Sequence, residues 1–165
     1  MLIRTKSLKT FKIEQISEYL EKIVFREGGG GGLAIAYNQE TIQMTTAKIP
    51  PTKYEIMAAV GGRCGQRRKV VVLAGYTPPN FNAGQNKSFL RALNNIITAI
   101  KTKYVNPYVL VGGDFNRRDF RLVTREHPNI KQIITGPTRG NVVLDIQACN
   151  MHDLLIDCGT ADGFS

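Results

Sequence analysis

The sequence predicts an α+β protein with sheets at its core and helices outside them. Three observations carry that expectation. Val70-Val71-Val72-Leu73-Ala74 is a continuous apolar run with β-branched residues, as a buried central strand requires. Tyr108-Val109-Leu110-Val111 is a second run of the same kind. Between them, Phe89, Leu90, Leu93, Ile96, Ile97, Ile100 and Tyr104 recur at helical spacing. Strands, one long helix and strands again is the resulting order.

Each element has its own signals. Ile13, Ile16, Leu20, Ile23 and Val24 have helical spacing, so the N-terminal stretch is predicted to be a helix. The glycine run Gly28 to Gly32 reads as a flexible turn leading into a strand over Leu33-Ala34-Ile35-Ala36-Tyr37. Ile42 to Ile49 and Tyr54 to Val60 read as two further strands, broken by Pro50-Pro51. The strand over Lys69 to Tyr76 stops at Thr77-Pro78-Pro79-Asn80, because proline cannot continue a ladder. The long helix is predicted over Asn86 to Tyr104, with Arg91, Asn94, Asn95, Thr98 and Lys101 on its wet face. Lys101 and Lys103 suit the negative end of its dipole, and Pro107 lies just beyond. Gly112-Gly113 ends the second central strand. Asn141 to Ala148 alternates, with Val142, Leu144 and Ile146 on one face. Asp153-Leu154-Leu155-Ile156-Asp157 reads as a last strand.

With 165 residues and no repeat or linker, residues 1–165 are expected to form a single domain. No apolar run approaches the roughly 20 residues that cross a membrane, and Met1 to Thr10 lacks the apolar segment of a secretory signal. The net charge is +9 and the pI is near 9.7. That balance makes nucleic acid the first candidate partner, although many soluble proteins are simply basic. The three cysteines, Cys64, Cys149 and Cys158, are odd in number and widely spaced, which argues for a reducing, intracellular setting. Cys149, His152 and Cys158 supply only three ligands without a C-x-x-C pair, so incidental thiols are preferred to zinc.

The chemistry concentrates on Gly112-Gly113-Asp114-Phe115-Asn116. A hydrophobic strand delivers Asp114 and Asn116 to its C-terminal end. Alternation puts the two on one side and Phe115 on the other. A carboxylate can take a proton from water, and an amide can donate to a phosphate oxygen. Gly, Asp and Asn are also turn formers, and on chemistry alone the plain turn stands ahead.

The wider pattern shifts that balance. Gly29 to Ile35, Gly75-Tyr76-Thr77-Pro78-Pro79, Val111 to Asn116, and Pro137-Thr138-Arg139-Gly140-Asn141 followed by Leu144-Asp145 occur in that order. Together they resemble the endonuclease/exonuclease/phosphatase superfamily, which is DNase I-like, and most of all the endonuclease domain of non-LTR retrotransposons. The resemblance runs from about Gly28 to the C-terminus. It implies a four-layer α/β/β/α sandwich, incomplete here at both ends. It also implies that Asp114 orients or deprotonates the attacking water, that Asn116 bonds the scissile phosphate, and that Tyr76 brings its phenol to the same phosphate. Asp145 would orient a histidine further on. Magnesium, or manganese, would be the metal. Arg117, Arg139 and Asn80 adjoin the matched motifs and are expected to touch DNA. Arg63, Arg67, Arg68 and Lys69 form a second basic cluster, either DNA-binding or simply solvated.

Departures from the pattern are equally specific. Arg4-Thr5-Lys6 stands where the family has its magnesium-binding glutamate, and arginine cannot bind magnesium. The family's closing Ser-Asp-His is represented at most by Ser165, so the metal ligands are unassigned. His127 reads as a surface loop residue, and His152-Asp153 has the wrong order. A truncated or degenerate copy of the domain is therefore expected, with open sheet edges and weak or no catalysis. The first expectation is a magnesium-dependent DNA endonuclease: a nuclear monomer, or part of a larger polyprotein. The alternatives are a catalytically dead fragment that at most binds nucleic acid, and a phosphoesterase of the same fold acting on a small phosphoester.

Overall fold

The computed structural model describes residues 2–5, 19–25, 32–38, 42–62, 67–116, 119–138 and 141–152. The chain order is β1 (Leu2–Thr5), β2 (Tyr19–Phe25), β3 (Gly32–Asn38), β4 (Gln43–Thr46), β5 (Ile56–Gly62), β6 (Val70–Tyr76), α1 (Ala83–Lys103), β7 (Tyr108–Asp114), α2 (Arg121–Glu126), β8 (Lys131–Gln132) and β9 (Asp145–Cys149). The first three strands form one sheet, in the order β1-β3-β2, and the others form a six-stranded sheet, β4-β5-β6-β7-β9-β8. Every pairing is antiparallel except β6 with β7. Those two are parallel because α1 carries the chain back across the sheet.

Two cores follow from the alternation of the strands. On one face of the larger sheet, Val71, Leu73, Val109, Val111 and Ile146 meet Phe89, Leu93, Ile96, Ile97 and Ile100 of α1. On the other face, Met57, Ala59, Ala74 and Tyr76 meet Leu33 and Ile35 of β3. Among the described residues, the helices, the six-stranded sheet and the three-stranded sheet form three successive layers of the four that were expected. Each fully buried aliphatic or aromatic side chain contributes about 1.5–3 kcal/mol, so the α1 face outweighs any propensity effect within that helix. Asn82 caps α1: its side chain accepts from Gln85 N at 2.9 Å, and Gln85 Oε1 accepts from Asn82 N at 2.8 Å.

Several expectations are corrected. Leu20, Ile23 and Val24 lie on strand β2, not on a helix, because Tyr19–Phe25 pairs along the full length of β3; Ile13 and Ile16 fall outside the described residues. The helical spacing there is outweighed by β-branched and aromatic residues that a partner strand can use. Asn94 and His127 are buried, neither on a wet face nor in a surface loop. α2, which the sequence pattern does not announce, packs on α1, and His127 at its end lies against the Asn94 carbonyl. Cys64, Cys158 and the predicted strand over Asp153 to Asp157 lie outside the described residues, while Cys149 is a buried free thiol.

Candidate functional site

The site grows from strand register. Parallel pairing puts Tyr76 of β6 opposite Asp114 of β7, and antiparallel pairing puts Asp145 of β9 opposite Asp114 on its other side. Strands lie about 4.8 Å apart, so the three positions span about 10 Å along one sheet end. They also share a face. Val111, Phe115 and Ile146 pack on the helix side, so alternation turns Asp114 and Asp145 to the face that bears Tyr76 and the smaller sheet. Asp114 is 5% exposed, whereas Asp145 is exposed.

The strand ends at Asp114, and Asn116 reaches the site by a turn rather than by strand alternation. Asn116 has φ 46°, a left-handed conformation that Asn tolerates. Its N–H donates to Asp114 Oδ1 at 3.1 Å, and its Nδ2 donates to the Thr77 carbonyl at 2.5 Å. Thr77 N in turn donates to Asp114 O at 3.0 Å. The turn is thus tied to the residue after Tyr76. Gly113 serves this geometry: its φ is +146°, and a Cβ there would overlap the Gly75 carbonyl. Its smallness is needed by the neighbouring strand.

Thr138 is a site residue to which motif reading assigns no role. Its Oγ1 accepts from Leu144 N at 2.9 Å and Asp145 N at 3.0 Å, while its own N donates to Val142 O at 2.9 Å. Leu144 O accepts from Phe115 N at 2.9 Å, which joins this loop to the β7 exit. The available signal was the preference of Thr hydroxyls for nearby backbone N–H groups.

Of the other predicted contacts, Asn80 is exposed in the turn after Pro79, at the same sheet end. Arg117 and Arg139 fall outside the described residues, as does Arg63. Arg121 bonds Asp119 at 2.7 Å, and that pairing holds the Asp119 carboxyl below its ordinary range. Arg68 is engaged elsewhere. Its Nε donates to Asn106 O at 2.6 Å, and its guanidinium lies 3.6 Å from the centre of the Tyr108 ring. Val70 pairs with Tyr108, so this cluster sits at the far end of β6, about 20 Å from Tyr76. The two histidines are also away from Asp145. His152 follows the opposite end of β9. His127 Nδ1 is 3.4 Å from Lys101 Nζ, and its Nε2 is 3.4 Å from Asn94 O. Burial, then the Lys101 charge, lowers the His127 pKa.

β1, which carries Arg4, pairs with β3 and also lies alongside β7. Among the described residues, no group of three or more His, Cys, Asp or Glu side chains could hold a metal ion. No helix there is long and apolar enough to cross a membrane.

Two sheets packed face to face, with a helical layer on the larger, form a DNase I-like fold. Three solved structures illustrate the likeness. The Bacteroides thetaiotaomicron mannosyl-6-phosphatase has a TM-score of 0.71 at 10% identity, covering 92% of this chain and 71% of its own. The catalytic domain of human Nocturnin, solved with a bound sulfate anion, has a TM-score of 0.65 at 12% identity, covering 92% and 68%. The endonuclease domain of TRAS1, a telomere-specific non-LTR retrotransposon, has a TM-score of 0.62 at 17% identity, covering 91% and 71%. At these identities the likeness is one of fold. No protein-family model and no curated protein matches the sequence.

Proposed function

We propose that the chain is a metal-dependent phosphodiesterase that acts on DNA as an endonuclease of the retrotransposon type. The observation that carries this reading is the register that sets Tyr76, Asp114 and Asp145 side by side on one face, with Asn116 turned in beside them. Asp114 orients a water and takes its proton. The water oxygen bonds to phosphorus as the bond to the 3′ oxygen breaks, and that oxygen leaves as an alkoxide that takes a proton from solvent water to become the 3′-hydroxyl. Asn116 uses one Nδ2 hydrogen on the Thr77 carbonyl, which leaves the other for a phosphate oxygen. The Tyr76 phenol approaches the same phosphate. Asp145 is the carboxylate that would hold a histidine in its correct tautomer, and neither His127 nor His152 reaches it. Asn80, Arg117 and Arg139 grip the DNA backbone, and the +9 charge favours that partner.

Magnesium is commonly bound by one or two carboxylates together with phosphate oxygens and waters. Asp114 and Asp145 stand side by side, but among the described residues no third ligand joins them, so the residues that would hold magnesium or manganese stay unassigned. The ion would supply charge stabilisation on the leaving oxygen.

The test is nicking of supercoiled plasmid with Mg2+ or Mn2+. The expected outcome is nicking that EDTA abolishes and that Asp114→Asn slows by about a hundredfold or more. No metal-dependent nicking, or equal rates for the two proteins, overturns the reading.

Two other readings have their own support. Salt-sensitive binding without cleavage is favoured by Arg4 on the strand beside β7 and by the lack of a three-ligand group among the described residues. A small phosphoester is favoured by the mannosyl-6-phosphatase, whose TM-score exceeds that of the retrotransposon endonuclease. Release of phosphate from sugar phosphates without plasmid nicking would select the latter.

A further inference from the structure

Five aromatic rings run in unbroken contact beneath the site. Phe81 and Tyr54 have centroids 6.1 Å apart, Tyr54 and Phe89 5.6 Å, Phe89 and Phe115 5.5 Å, and Phe115 and Phe120 5.9 Å. Every contact is edge-to-face, with interplanar angles between 66° and 82°. That geometry is the favoured one for rings and leaves little freedom to slide. The rings come from separate segments: the loop before β5, the turn after β6, the body of α1, the exit of β7 and the start of α2. All but α1 are segments of the sheet end that carries the candidate residues.

We infer that Phe89 is a positioning residue, one that sets the Asp114–Asn116 turn by way of Phe115. This rests on the endonuclease reading for its kinetic consequence, but not for its structural one. Phe115 lies between Asp114 and Asn116 in the chain and is fully buried. It cannot tilt without moving both neighbours. Its ring packs on Phe89, also fully buried, and on Phe120. A Cβ on Gly75 would meet Phe89 Cζ at 3.2 Å and Phe115 Cζ at 3.4 Å. Gly75 therefore gives both rings their seat, one residue before Tyr76. The helix, the Tyr76 strand end and the Asp114–Asn116 turn converge on these two rings. Shape complementarity of this kind resists small displacements, because rings in a close-packed interior have no space to shift into. A displacement of about 1 Å in a reacting group can lower a rate by about a hundredfold.

The experiment compares Phe89→Leu with Ile97→Val, a truncation at a fully buried position of the same core two turns further along α1. The first readout is NMR of the Asn116 side-chain amide, assigned by its loss in Asn116→Ser. Phe89→Leu is expected to shift that pair and speed its solvent exchange, as the bond to the Thr77 carbonyl loosens. Ile97→Val is expected to leave it unmoved. The second readout is plasmid nicking, where Phe89→Leu should lower kcat by about tenfold or more with KM within about twofold. An unshifted Asn116 amide in folded Phe89→Leu overturns the inference. So does an equal shift in Ile97→Val. If Phe89→Leu does not fold, Gly75→Ala takes its place, with the same expected amide shift and the same overturning result. If the unaltered protein does not nick DNA, the endonuclease reading fails while the amide readout still decides the role of Phe89.

Discussion

Gly113 and Thr138 hold the site together by opposite means, one through lacking a side chain and the other through a hydroxyl. Gly113→Ala would force a Cβ into the Gly75 carbonyl at a φ of +146°. The β6–β7 ladder would have to open at the Tyr76–Asp114 pair. A loss of about 3 kcal/mol or more is expected, read as a lower urea midpoint or as insoluble protein. Thr138→Val keeps the shape but leaves the Leu144 and Asp145 N–H groups without their acceptor. Each such loss costs about 1–3 kcal/mol. Urea unfolding should show a fall in that range, with recovery in Thr138→Ser; an unchanged midpoint would remove Thr138 from the framework. Neither role was legible beforehand. Gly113 announced a turn, but its real constraint is the backbone of a neighbouring strand. Thr138 stood inside a noted motif, but the N–H groups that donate to its hydroxyl lie on the far side of a loop.

At the scale of elements, α2 carries the least obvious consequence. Its six residues are too few for a periodic pattern to stand out, yet it ends at His127 and sets that ring between Lys101 and the Asn94 carbonyl. Lys101 Nζ also donates to Asn129 Oδ1 at 2.8 Å, so the ammonium is held against the ring. Desolvation and this cation hold the folded-state His127 pKa below the ordinary value of 6.5, while Glu126 opposes them. The folded state therefore binds the proton less readily than the unfolded chain. Its contribution to stability is complete above the ordinary histidine value and is lost as pH falls through the lowered folded value. Urea midpoints should decline as pH drops below about 6.5, and His127→Gln should flatten that part of the profile. Parallel declines in both proteins would assign the effect to other groups.

For the whole molecule, the decisive property is charge. With a net +9, binding to duplex DNA should weaken linearly in log–log form as salt rises. The slope is about −0.9 for each phosphate neutralised. Fluorescence anisotropy at low and moderate salt measures it, and a flat profile would remove nucleic acid as the partner. Substituting Arg68 should leave the slope unchanged, because that side chain is bound to Asn106 and Tyr108 at the opposite sheet end.

The strands over Val70–Tyr76 and Tyr108–Asp114 and the long helix between them were legible because their patterns are local. An apolar run or a 3.6-residue period is a property of a single segment. Asp114 and Asn116 are different: their segment by itself reads as a strand ending in a turn, and only the ordered motifs around it mark the two as candidates. β2 was misread as a helix because apolar spacing does not say whether a partner strand is waiting. Only the tertiary structure decided that Asp114 stands between Tyr76 and Asp145, that His127 is buried, and that Arg68 lies away from the rim. Register, burial and distance are relations between segments far apart in the chain. They are set when two faces pack and neighbouring strands align, and local periodicity carries no record of which partner that will be.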